Sequence, residues 1–140
     1  MNTRKFALVF GVLFLIVGLA GFIPGLVGPV HPGHPDMAVD AGYGQLLGLF
    51  PVNILHNLVH ILFGVWGIAA SRGLGGARLY ARAVAVIYAI LTVAGFIPGL
   101  NILFGLVPLF GNDIWLHALL ALIAAYYGWV QRDTPAAAVG

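Results

Sequence analysis

Four stretches of this chain stay apolar for the length of a membrane crossing, with little charge to interrupt them. They run from Phe6 to about Ile23, from about Asn53 to Ala70, from about Leu79 to Ile97 and from about Asp113 to Val130. A span needs about 20 mostly apolar residues at about 1.5 Å rise each. The runs lack strand alternation and are too long for strands, and lipid tolerates only helices or closed barrels. Composition agrees. Charged residues make up 7% of the 140, against about a quarter in a soluble domain, too few to coat a protein of this size in water. A water-soluble enzyme, a disordered chain and a nucleic-acid binder of the basic-patch kind are excluded. The chain has no cysteine, which removes disulfides, thiolate metal sites and Cys nucleophiles. The expected partner is the lipid bilayer, with a second copy or another membrane protein beside it and no nucleic acid. Arg4 and Lys5 before an apolar run resemble a leader, but no polar cleavage region follows. The segment reads as the first span.

The chain repeats itself. Ala20-Gly21-Phe22-Ile23-Pro24-Gly25-Leu26 recurs letter for letter as Ala94-Gly95-Phe96-Ile97-Pro98-Gly99-Leu100. Downstream, Gly48-Leu49-Phe50-Pro51 matches Gly105-Leu106-Val107-Pro108, and without a gap His56 falls on Asp113, His60 on His117 and Gly64 on Ala121. The first copy is longer by the loop that carries His31 and His34. The expected fold is all-α: a single integral membrane domain over residues 1–140, built as a four-helix bundle of two tandem two-helix repeats. Repeat 1 covers about 6–71 with an outer loop near 27–45, repeat 2 covers about 79–130, and 131–140 form a flexible tail. Two spans per copy make both copies point the same way. That predicts a pseudo-two-fold axis along the membrane normal, pairing span 1 with span 3 and span 2 with span 4.

Arg4, Lys5, Arg72, Arg78, Arg82 and Arg132 all fall on one side of this arrangement, so both termini are expected in the cytoplasm. Trp129, Tyr126 and Tyr127 suit the inner aromatic belt and Trp115 the outer one. Ala77, Ala81, Ala85 and Ala89 form a small-residue stripe, and Gly18, Gly21, Gly64 and Gly67 allow close helix approach. Leu46–Val52 and Ile102–Phe110 are apolar but short and broken by Gly and Pro. They are expected as interfacial or re-entrant pieces covering the outer end.

The polar residues gather at that outer end. All five histidines lie there with Asp36, Asp40 and Asp113. Span 2 opens Asn53-Ile54-Leu55-His56-Asn57-Leu58-Val59-His60, and span 4 opens Asn112-Asp113-Ile114-Trp115-Leu116-His117. His56 and His60 are four residues apart, as are Asp113 and His117, so each pair shares a helix face. The rise places His60 about 10 Å and His117 about 7 Å into the helix. Polar groups at that depth point into the bundle rather than into lipid. Asn112 reads as an N-cap, Asn53 caps span 2 in the same manner, and Asn57 makes an interhelical hydrogen bond. Asp113 complements the helix dipole in the first turn.

Several chemistries fit His56, His60, Asp113 and His117. They form a structural hydrogen-bond network between spans 2 and 4, or a transition-metal site for Zn, Fe, Mn or Cu. In the latter, an Asp113 left free of the ion would serve as base for a bound water. A bis-histidine haem on His60 and His117 is disfavoured by the crowded, capped ends. A proton-handling cluster is the fourth alternative, since imidazole titrates near neutrality. His31-Pro32-Gly33-His34-Pro35-Asp36 reads as a solvated loop that would add ligands or load metal from outside.

At these residues the chain resembles a bacterial four-span family catalogued as domain of unknown function 4383. The resemblance rests on Leu47-Gly48-Leu49-Phe50 through Asn53, on His56-Asn57-Leu58-Val59-His60 with Gly64, on Asn112-Asp113-Ile114-Trp115-Leu116-His117 and on the GFIPG segment. It covers roughly Lys5 to Trp129. It implies a four-helix integral protein of the bacterial cytoplasmic membrane and supplies no catalytic residue. The His31 and His34 loop lies outside the pattern.

Overall fold

The computed structural model describes residues 1–133, so most of the expected tail at 131–140 lies outside the described residues. Four α-helices dominate: α1 (Thr3–Ala20), α2 (Ile54–Ala70), α3 (Leu74–Gly95) and α4 (Asn112–Ala125), the last continued by a π-helical turn at Tyr126–Val130. Three of these, α1, α3 and α4 with its extension, are long and apolar enough to cross a membrane, and α2 is an apolar helix of 17 residues. Large apolar side chains cover the outside, Leu62, Phe96 and Leu122 among them at 68%, 72% and 71% exposure. Such a surface is stable in lipid and insoluble in water.

Local chemistry sets the helix ends. Asn2 and Asn53 are N-caps whose side-chain oxygens accept from Lys5 N and His56 N. α1 and α3 each stop just ahead of a proline, Pro24 and Pro98, which cannot continue a helix. α3 begins several residues earlier than the apolar run, so Arg78 lies within the helix and not in a loop.

α1 packs on α2 and α3 on α4, with α1 also against α3. The first contact is a glycine crossing. A Cβ on Gly11 would stand 2.6 Å from Ile68 N, one on Gly18 2.8 Å from Asn57 O, and one on Gly64 2.7 Å from Leu15 N. Backbone meets backbone there, and no side chain can yield. The contact of α1 with α3 is knob on flat. Phe6, Phe10 and Phe14 line one face of α1, and the buried Ala77, Ala81 and Ala85 of the alanine stripe share their core. Ala89, the last of the stripe, is exposed.

The outer connections depart from an all-α fold. A small antiparallel sheet of β1 (Val27–Gly28), β2 (Gly44–Leu46) and β3 (Phe50–Val52) covers the outer end in the order β1-β2-β3. The segment Leu46–Val52, expected as interfacial or re-entrant, is thus the second half of a hairpin. Gly48 turns it at φ 71° with Leu47 at φ 54°, left-handed values that glycine reaches freely. Pro51 has no N–H to give the ladder and sits in an edge strand, where proline is tolerated. The matching connection of the second copy instead forms a 3-10 turn, Leu100–Gly105. After the identical seven residues the two copies therefore take different paths. The connections cover each other: Val39 N donates to Gly105 O at 3.0 Å.

At the opposite end, Thr3 N donates to Asp133 Oδ1 at 3.0 Å, Thr3 Oγ1 to Tyr127 O at 3.3 Å and Arg4 Nε to Ser71 O at 2.9 Å. Asp133 also faces Arg78 at 3.7 Å. The start of α1, the α2–α3 turn and Asp133 are thereby gathered at one end. Arg82 lies above them, its Nε donating to Gly128 O at 2.9 Å and its guanidinium over the Trp129 ring.

The glycine crossing generates a test. Gly64→Ala should cost about 1–3 kcal/mol, as overpacking does, read as a lower unfolding midpoint in detergent. Gly75→Ala, where a Cβ meets nothing within 4 Å, should hold or gain stability.

Candidate metal centre

The outer ends of α2 and α4 bring His56, Asp113 and His117 together. Each offers a ligand atom, and these atoms lie within 4.8 Å of one another. All three residues are buried. His60, one turn below His56, is half-buried and stands outside this group, although the two rings are 4.6 Å apart. Its Nδ1 is 3.0 Å from His56 O, so the ring donates back to its own helix. That local bond leaves Nε2 as the free lone pair of a ring that lines the cavity beside the triad.

His56 is held from two sides. Its Nδ1 lies 3.1 Å from Pro51 O and donates to it, which leaves Nε2 as the lone pair. An imidazole fixed by a backbone carbonyl through its other nitrogen is the usual arrangement behind a metal ligand. Asp113 Oδ2 is 3.9 Å from His56 Nδ1, too long for a hydrogen bond. Asp113 Oδ2 and His117 Nδ1 are both buried with no hydrogen-bond partner. The edge of the His117 ring meets Tyr88 at 5.0 Å between centroids.

The asparagines frame the site. Asn53, fully buried, accepts from His56 N and donates to Val39 O at 2.9 Å and Leu106 O at 2.7 Å. One side chain caps α2 and fastens both outer connections over it. Asn57 donates to Gly21 O at 2.9 Å, the interhelical bond its position suggests. Asn112 departs from the cap expectation. Gly111 is the N-cap of α4 with no side-chain bond, while Asn112 donates to Leu49 O and accepts from Trp115 Nε1, both at 3.1 Å. Gly111 supplies the positive φ of 67° that swings the chain into the helix. The Asn112 side chain is then free to reach across to the hairpin.

Beside the triad lies a cavity of about 160 Å³. His56, His60, His117 and Tyr88 face it, and Val59, Phe63, Ile87 and Leu109 are among its apolar walls. It is too small for an organic cofactor, whose pockets begin near about 300 Å³. His60 and His117 line it together. Tyr88 and the Pro51 carbonyl went unseen in the sequence. Tyr88 carried one signal, a phenol in the middle of an apolar span, and the carbonyl of Pro51 carried none.

The family described as a domain of unknown function, DUF4383, matches residues 4–130. The chain belongs to this family. Neither a curated protein nor a solved structure matches it. The match takes in α1–α4 and both outer connections, and with them every residue of the triad.

Proposed function

We propose that this membrane protein binds one transition-metal ion at its outer end through His56, Asp113 and His117. The observation that carries this reading is the pair of buried, unpartnered ligand atoms, Asp113 Oδ2 and His117 Nδ1. A structural hydrogen-bond network would join them to a donor or to each other, since a buried unpaired polar group costs free energy and a charged one costs more. A cation satisfies both at once. A tetrahedral zinc with bonds of about 2.0–2.2 Å sets its ligands roughly 3.3–3.6 Å apart, so the triad atoms, within 4.8 Å of one another, draw together on binding. Two imidazoles and a carboxylate suit Zn, Mn, Fe or Cu, and a fourth position is left for water or for a His60 ring released from His56 O. The cavity volume disfavours haem. With Asp113 in the ligand set, it is not free to act as base for a bound water, and the proposed role is binding.

In purified, chelator-stripped protein loaded separately with Zn, Mn, Fe(II) and Cu, elemental analysis should find one ion per chain for at least one metal. His56→Ala with His117→Ala should abolish it. Asp113→Asn keeps the shape and hydrogen-bonding capacity of the side chain, so a network would survive it, whereas metal affinity should fall by about 100-fold or more. Protein that stays metal-free throughout, or an Asp113→Asn variant with unchanged affinity, rejects the reading.

We further infer that the molecule is one domain of four spans in the bacterial cytoplasmic membrane, with α2 the shortest span and both ends inside. The gathering of all six basic residues at the end opposite the triad supports this orientation. The α1–α2 and α3–α4 pairings fit two tandem repeats about an axis along the membrane normal. The chain lacks cysteine, so single introduced thiols report topology. Ala38→Cys should be labelled by an impermeant reagent from outside intact cells and Gly75→Cys only after lysis. The reverse pattern inverts the orientation.

A further inference from the structure

A buried triad needs a path for a cation, and the cavity beside it is a poor one. Its polar lining is the three histidines and Tyr88; its other lining residues are apolar, and Val59 and Ile87 among them are exposed on the face given to lipid. A hydrated ion arriving from that face would have to give up water in hydrocarbon before it met an imidazole. The outer surface offers a different opening. A pocket of about 150 Å³ lies between the long loop, the β2–β3 hairpin and the start of α4. His31 and His34 line it, their ring centroids 5.3 Å apart. His34 is a built element of this pocket rather than a loose loop residue. Its Nδ1 is 3.0 Å from the amide of Gln45, which is 1% exposed, and its ring meets the edge of Phe110 at 4.9 Å. The facing atom is Gln45 Nε2, which donates to Nδ1; a cation taken by Nε2 of His34 requires the amide to turn over, so that its oxygen accepts from Nδ1–H and the ring Nε2 carries the lone pair.

The floor of the pocket is also the roof of the triad. Pro51 lines the pocket and its carbonyl holds His56. Asn112 lines it too and is the residue before Asp113. Among the described residues, the hydrogen bond between the hairpin and α4 is the exposed one from Asn112 to Leu49 O. We propose that His31 and His34 form an outer capture site for a divalent metal cation, from which the ion passes inward to His56, Asp113 and His117. This rests on the triad binding metal. Two imidazoles give a transient hold, and three buried ligands including a carboxylate give the lasting one, so the ion moves toward the stronger set.

The test separates rate from capacity. Chelator-stripped protein in detergent is mixed with Zn²⁺, and uptake is followed by competition with a fluorescent zinc chelator. The double variant His31→Ala, His34→Ala should still bind one ion per chain at equilibrium but load at least tenfold more slowly. His31→Asn alone, which keeps a polar side chain on the exposed loop, should slow loading less. Uptake by the double variant within twofold of the wild-type rate overturns the capture site and leaves the triad standing. A wild-type chain that takes up no Zn²⁺ overturns the triad reading and this one with it.

Discussion

A bilayer supplies no hydrogen bonds, so every polar atom carried into it must be satisfied from within the protein. This constraint organises the outer half of the molecule. Asn53 donates to the carbonyls of Val39 and Leu106 and Asn57 to that of Gly21, while the His56 and His60 rings donate to those of Pro51 and His56. Among the described residues the buried side-chain atoms left without a hydrogen-bond partner are Tyr80 Oη and Asp133 Oδ2 elsewhere in the fold and, at this end, Asp113 Oδ2 and His117 Nδ1, which belong to residues whose ligand atoms lie within 4.8 Å of one another. The metal reading follows from that remainder more than from the presence of histidines.

The rest of the fold serves to hold the remainder still. The glycine crossing sets α1 against α2 at backbone distance, and Asn57 on Gly21 O fixes their relative height. The aromatic face of α1 continues into the site, since Phe14 meets both Tyr88 and His60, and Tyr88 meets His117. Asn53 fastens the two outer connections so that Pro51 presents its carbonyl to His56. A ligand sphere oriented by packed rings and backbone acceptors is stiffer than one on loops. At the other end, Asp133 and Arg78 close the helices together.

Much of this was legible in the residues. Apolar run lengths located the helices, because spanning length is set by the bilayer and not by tertiary packing. Four-residue spacing put His56 and His60 on one face and Asp113 and His117 on another. What spacing cannot show is where a ring turns within its face: His60 has a carbonyl four residues back within reach and takes it. Asn112 misled for a related reason. Its type suits a cap, but the glycine before it had the backbone freedom to begin the helix, and the side chain was spent on Leu49 and Trp115. The hairpin at Leu46–Val52 depends on pairing with residues near 27 and 44, a long-range event that Gly and Pro in the local sequence leave open. Identical seven-residue segments lead to a strand in one copy and a 3-10 turn in the other, since the first copy alone has the long loop to pair with.

The most direct measurement is X-ray absorption at the metal edge of protein loaded with one equivalent of Zn²⁺. The account predicts a first shell of nitrogen and oxygen at about 2.0–2.2 Å with the multiple scattering of two imidazoles, reduced to one in His117→Ala. A shell of water oxygens without imidazole scattering, or a spectrum unchanged in that variant, would contradict it.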